Sequence, residues 1–188
     1  MLWWPTETPV LYFGDVTLRR AQERDIVPIF EACQDPTIPQ FTTVPSPYLI
    51  SHAEEFIRDI SPRNFTEKTE MLFAIVQGKG EGEEEEKFCG LISFHTTRLE
   101  SHCTELGYWM AKESRGKGIA KTAVKLITEY GIDTMGFRRI EALVDVANME
   151  SKGLLTSAGY ALEGILRQKV TRADGSQIDM AMYAKVKA

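Results

Sequence analysis

Residues 115–120 read RGKGIA, and the stretches on either side of them obey different periods. Before them, Leu106, Tyr108 and Met110 alternate with Glu105, Gly107 and Trp109, the two-residue period of a strand. After them, Ile119, Ala123, Ile127 and Tyr130 step by threes and fours, one apolar helical stripe with Lys121, Lys125 and Glu129 outside it. A strand thus passes into a helix through two glycines. The first amides of a helix have no intrahelical partner, and the helix dipole adds partial positive charge there. Glycine lacks a Cβ, so a bulky anion can approach its backbone closely. The segment is a candidate phosphate cradle with Arg115, Lys117 and Lys121 around it; a plain tight turn is the alternative. It contains neither GxxxxGK[ST] nor a complete GxGxxG.

The other elements follow from the same periodicities. Residues 10–18 read as one strand, and residues 23–33 as a helix carrying Ile26, Ile29 and Phe30. Residues 35–47 contain Pro36, Pro39, Pro45 and Pro47 and are expected to be a loop. Ser51 and Glu54 form an S-x-x-E capping pattern for a second helix ending near Ile60. Strands are expected at 71–76, 88–95, 105–110 and 139–146. A short helix starts at Asn148 and closes at Gly159, and two last strands meet across Asp174-Gly175. This order predicts an α+β domain with a mixed sheet, in which residues 105–146 form a parallel strand–helix–strand unit.

With 188 residues, the chain suits one domain, here 1–188 with 1–9 as an N-terminal extension. A net charge of −5 argues against a nucleic-acid binder, which needs a basic face. The acidic run near residues 81–86 reads as a solvated hairpin tip. Cys33, Cys89 and Cys103 are odd in number and lack CxxC spacing, so they read as free thiols rather than a metal site. No apolar run approaches the roughly 18 residues of a membrane helix, and MLWWPTETP lacks the pattern of a signal peptide. A cytoplasmic protein is the expectation.

Arg115-Gly116-Lys117-Gly118-Ile119-Ala120 resembles R/Q-x-x-G-x-G/A, the acetyl-coenzyme A diphosphate motif of the GCN5-related N-acetyltransferases (GNAT). TELGYWM at 104–110 is similar to that family's central strand. NMES at 148–151, AGYALEG at 158–164 and RADGSQID at 172–179 resemble the subfamily of bacterial ribosomal-protein N-terminal acetyltransferases, as does the opening VTLRRAQERDIVPIFEACQDP. The resemblance implies a mostly antiparallel seven-stranded sheet, about four helices, and a central parallel pair that splays apart. It implies acetyl-CoA as cofactor, a primary amine as acceptor and a monomer or homodimer. A protein N-terminus is the favoured acceptor; a polyamine, an amino-sugar antibiotic, or a non-catalytic coenzyme A sensor remain alternatives.

The resemblance also implies roles. Trp109, Met110, Ala111 and Lys112 would line the cofactor path, with a backbone amide near Trp109 to Ala111 polarising the thioester carbonyl. The amides of Arg115, Gly116, Lys117, Gly118, Ile119 and Ala120 would take the diphosphate. Asn148 would hold the pantetheine arm, with a helix cap as the compatible alternative. The tyrosine that many members carry seven residues after this asparagine is Leu155 here. Ser151 stands three after it and would protonate the leaving thiolate. A glutamate some relatives place after EG corresponds to Val170. Glu105 is then the leading base, with Glu163 and His95 behind it. Phe41, Tyr48 and Trp109 are candidates for the acceptor walls.

Overall fold

In a computed structural model of the chain, residues 2–78, 86–172 and 175–187 are described. Eight strands form one sheet: β1 (Leu11–Phe13), β2 (Val16–Arg19), β3 (Met71–Gln77), β4 (Lys87–Arg98), β5 (Cys103–Met110), β6 (Arg139–Asp145), β7 (Ala161–Thr171) and β8 (Gln177–Val186). Their order is β1-β2-β3-β4-β5-β6-β8-β7. Among them, only β5 and β6 pair in parallel. The extra strand over the expected seven arises where residues 10–18 divide into a hairpin. Gly14, at φ +63°, turns the chain back so that Leu11 faces Leu18.

The helical elements exceed the expected four. They are α1 (Ile26–Ala32), α2 (Thr37–Phe41), α3 (Ile50–Glu55), α4 (Ser61–Thr66), α5 (Ile119–Glu129) and α6 (Met149–Ser157). A more widely wound turn, Phe56–Ile60, joins α3 to α4, so this helical stretch runs past the predicted end. Its start also differs: α3 begins one residue before Ser51, and the Leu49 amide donates to His52 Nδ1 at 3.1 Å. α2 lies inside the proline-rich segment expected to be a loop. Pro39 is its third residue, where an amide has no intrahelical acceptor, and Asp35 Oδ1 takes the Thr37 amide at 3.0 Å.

The two faces of the sheet bury separate cores. Phe73, Phe94, Leu106, Ile127, Met135 and Ile140 pack between the sheet and α5. Ile29, Ile38, Ala53, Ile57 and Leu91 pack on the opposite face with α1 to α3. Full burial of each large side chain contributes about 1.5–3 kcal/mol. Leu2 and Trp4 pack against the first core: the Trp3 amide donates to the Met135 carbonyl at 2.8 Å, and Trp4 lies 5.7 Å from Phe65. The three cysteines are free and buried. Of the expected hairpin between β7 and β8, Asp174 lies outside the described residues; Gly175 adopts φ +83° and the two strands pair antiparallel. Most of the acidic run, residues 79–85, is also outside them.

Candidate active site

β5 and β6 stay together for three rungs only: Cys103 with Arg139, Thr104 with Ile140, and Glu105 with Glu141. β5 runs on to Met110 and β6 to Asp145, so their later halves part and leave a wedge in the middle of the sheet. On its other side β5 remains fully paired with β4, and the Ala111 amide continues that ladder to the Cys89 carbonyl at 2.8 Å. Antiparallel alternation therefore turns the amides of Gly107, Trp109 and Ala111 toward β4 and those of Tyr108 and Met110 into the wedge. This corrects the sequence expectation. Trp109 and Ala111 flank the path, but their amides belong to the sheet; Met110 carries the one amide of the three that faces the opening.

Beyond β5, residues 112–114 make a single tight turn, and Gly116 and Gly118 follow at φ +72° and +78°. A Cβ built at either glycine meets nothing within 4 Å. Left-handed backbone explains the glycines, and the space over them is open. Gly118 caps α5, and Ile119 turns its side chain into the core. Among the described residues, no acceptor takes the amides of Gly116, Lys117, Gly118, Ile119 or Ala120. Lys117 and Lys121 are exposed beside them, and so is Lys112 at the start of the turn. Unused amides, open space and cationic side chains at a helix N-terminus fit a diphosphate.

Arg115 departs from its expected place. Its Nε and Nη2 donate to the Met110 carbonyl at 3.1 and 2.9 Å, and its Nη1 donates to Thr37 Oγ1 at 2.9 Å. Nη2 also pairs with Asp35 at 2.8 Å. The guanidinium thus ties the end of β5 to α2, and its amide is used in the preceding turn. Arg172 makes a matching tie from the far arm, reaching Asp145 Oδ2 at 2.6 Å and the Gln40 carbonyl at 3.1 Å. Neither arginine was legible as a brace, because Asp35 and Thr37 for Arg115, and Gln40 and Asp145 for Arg172, lie far away in sequence.

At the β6–α6 corner, Asp145 is buried and takes the Ala147 amide at 2.8 Å. This fixes Asn148, whose Oδ1 accepts the Ser151 amide at 3.0 Å. The cap is therefore real, and the Asn148 amide nitrogen, Nδ2, keeps both protons for another group. Leu155, where many relatives carry a tyrosine, is fully buried. Ser151 has a partner the sequence reading missed: Tyr108 Oη lies 2.8 Å from Ser151 Oγ, across 43 residues. The one available signal was the alternation of β5, which puts Tyr108 on the face of α5 and α6.

Glu105 lies on the other face, beside His95, its direct partner on β4. The absence of a side chain at Gly107 makes room for His95, since a Cβ there would come within 2.7 Å of its Nε2. Burial lifts the Glu105 carboxyl above its ordinary range; Glu141 pushes the same way, while His95, Lys169 and Arg98 oppose. Glu163 is different. Arg139 donates to it through two nitrogens, one at 2.9 Å, and holds its carboxyl low. It is an ion-pair partner at the sheet surface rather than a base. Val170 is exposed on β7 and offers no proton acceptor. Of the three aromatics expected at the acceptor walls, Tyr48 is a core residue packed 5.5 Å from His52, Trp109 packs 6.0 Å from Phe88, and Phe41 is half-buried at the end of α2.

A shallow depression of about 530 Å³, lined by Lys125, Glu129, Ser157 and Lys185, lies at the far end of α5 and holds none of these groups. Among the described residues no cluster suits a metal ion, and no helix is long and apolar enough to cross a membrane.

Comparison with known proteins agrees with this arrangement. The model of the acetyltransferase (GNAT) domain matches residues 15–161. The N-acetyltransferase p20 of Bacillus licheniformis is 28% identical over 177 residues, which covers 94% of this chain and 96% of p20. The structure of RimL, a ribosomal L7/L12 alpha-N-protein acetyltransferase in complex with coenzyme A, superposes with a TM-score of 0.83 at 16% identity, covering 95% of this chain and 98% of that one. The microcin C7 self-immunity acetyltransferase MccE, in complex with acetyl-CoA and AMP, gives 0.79 at 24% identity, covering 93% and 94%. At these identities the structural likeness is one of fold. With a glycine-bounded amide cradle, a parted parallel pair and a domain match over most of its length, the chain belongs to the GNAT acetyltransferase family and is an acetyl-CoA-dependent N-acetyltransferase.

Proposed function

We propose that the acceptor is a protein N-terminal α-amino group, and that Glu105 takes its proton. The observation that carries this reading is Glu105 itself: a partly buried carboxylate with a raised pKa, at the rung where β5 and β6 separate, with no arginine bonded to it. An α-amino group titrates near 7.7–8.0, within reach of such a base, whereas a lysine near 10.4 needs far stronger help. The relative that acts on the N-terminus of a ribosomal protein supports the same class.

Acetyl-CoA, when bound, supplies an acetyl thioester. The amides of residues 116–120 would hold its diphosphate, with charge from Lys117 and Lys121. The Tyr108 and Met110 amides and Asn148 Nδ2 would donate to carbonyl groups along its arm, and an amide of this kind stabilises charge developing on the thioester oxygen. Glu105 Oε accepts the proton that the amine nitrogen loses and later passes it to solvent. Ser151 Oγ gives a proton to the departing sulfur and recovers one from water, so the balance closes. The two proton-handling groups lie on opposite faces of the sheet, Glu105 at the last rung before the wedge opens and Ser151 beside Tyr108.

Thiol release measured over a panel of acceptors tests this. The panel comprises peptides with free N-termini, the same peptides N-terminally blocked but with free lysines, a polyamine and an aminoglycoside. Turnover is expected with free N-termini only. Turnover confined to the polyamine or aminoglycoside would overturn the acceptor class.

A further inference from the structure

Taking Ser151 as the proton donor, as read above, we infer that Tyr108 is its positioning residue: the phenol fixes the serine hydroxyl so that its proton points into the wedge.

Tyr108 Oη and Ser151 Oγ are 2.8 Å apart, and among the described residues each is the other's only side-chain hydrogen-bond partner. The bond crosses from β5, on one side of the wedge, to the first turn of α6, which follows β6 on the other side. A serine hydroxyl otherwise rotates freely, and in a helix's first turn it can face several ways. A phenol that donates to Oγ leaves the serine proton as the one free to seek another acceptor. It also stabilises negative charge on Oγ as that proton departs, because hydrogen bonds in a chain polarise one another. The phenol keeps its own proton throughout: burial pushes its pKa up to about 12, although the bond to Ser151 works against that rise. Ser151 lacks the help of a tyrosine from its own helix, since Leu155 occupies that position in the core. The strand supplies the phenol instead.

The test compares Tyr108→Phe, Ser151→Ala, Ser151→Thr and the Phe/Ala double variant in the full chain. Each of Tyr108→Phe and Ser151→Ala is expected to lower kcat by roughly 10- to 100-fold with KM for both substrates unchanged. The double variant should be no slower than Ser151→Ala, and Ser151→Thr should retain most of the rate. A second readout is free of turnover. Coenzyme A with its free thiol is bound, and the ultraviolet absorbance of its thiolate is followed against pH. The bound thiol should titrate lower on the parent chain than on either single variant, because a donated hydrogen bond favours the thiolate. If Tyr108→Phe weakens folding, a fluorinated tyrosine at 108, which makes the phenol a stronger donor at nearly constant volume, should lower the thiol pKa further. Parental kcat and thiol pKa in Tyr108→Phe, with Ser151→Ala impaired, would overturn the role of Tyr108 and leave that of Ser151 standing. A silent Ser151→Ala would overturn the reading of Ser151 itself. Losses that simply add in the double variant would show that Tyr108 acts independently of Ser151, and would also overturn the inference.

Discussion

Glu105 and Glu141 face each other on the last rung of the parallel ladder, and only Glu141 carries arginines. Arg139 Nε donates to it at 2.6 Å and Arg98 at 3.3 Å. Burial alone would raise the Glu141 carboxyl, but Arg139 and Arg98 hold it low. Glu105 sits beside this charged neighbour without an arginine bond, and burial raises it. Two like residues at one level of the sheet are therefore shifted in opposite directions, Glu105 up and Glu141 down, and Glu105 is the better suited of the two to accept a proton.

That divergence has a kinetic consequence. The acid limb of kcat/KM in the parent enzyme is expected to lie above the ordinary carboxylate range. Glu105→Gln should lower kcat by about 10²- to 10⁴-fold and remove that limb, while Glu163→Gln leaves both nearly intact. A pH–rate profile of the three proteins checks it. An unchanged limb in Glu105→Gln would assign the base elsewhere, with His95 next.

The same residue makes a stability prediction of opposite sense. A carboxyl whose folded pKa is raised favours folding when protonated; that advantage is complete below the unfolded pKa and is lost as pH rises through the folded value. Glu105→Gln, permanently neutral, should thus melt higher than the parent near neutral pH, by on the order of 2–4 °C. The difference should shrink as pH falls toward the unfolded carboxylate value. Thermal melts across that pH range measure it.

The glycines divide by what surrounds them. Gly116→Ala or Gly118→Ala introduces a side chain into open space at positive φ, so only backbone strain opposes it, about 1–2 kcal/mol. Gly90 is worse placed. Its φ is +155°, and a Cβ there would come within 2.2 Å of the Trp109 carbonyl oxygen, at the irregularity between β3 and β4. Gly90→Ala should cost more than about 3 kcal/mol. The cradle variants should nonetheless show the greater loss of coenzyme A-induced stabilisation in thermal shift.

Arg115→Ala removes a brace rather than a diphosphate contact. It frees the Met110 carbonyl and releases α2, whose Asp35 and Thr37 the guanidinium holds. Loss of one charge-assisted tie corresponds to about 1.4 kcal/mol, a tenfold effect. It is expected in KM for the acceptor, with kcat and coenzyme A affinity changed much less. Steady-state kinetics and coenzyme A titration separate the two, and a dominant loss of coenzyme A affinity would return Arg115 to the cradle.

Much of this molecule was legible along the chain. Alternation located the strands of the central sheet, and the RGKGIA turn located the head of α5. The helix cap offered as the alternative for Asn148 is present, its Oδ1 accepting the amide three residues on. The misreadings came where one local rule yielded to another. Prolines in residues 35–47 suggested a loop, but Pro39 falls in the first turn of α2, where a missing amide costs nothing. Residues 10–18 look like one strand until Gly14 takes a left-handed conformation and folds them back.

Local residue patterns were enough to specify the strands of the central sheet, helices α1, α5 and α6, and the place where a helix head is left with unused amides. Those properties arise from residues within a few positions of one another, through φ preferences and the hydrogen-bonding deficit of a helix end. Long-range packing brought Tyr108 to Ser151, turned the Arg115 side chain to Met110 and Asp35, and left Glu105 rather than Glu163 without an arginine bond. Each depends on packing among elements distant in the chain, which no run of neighbouring residues encodes.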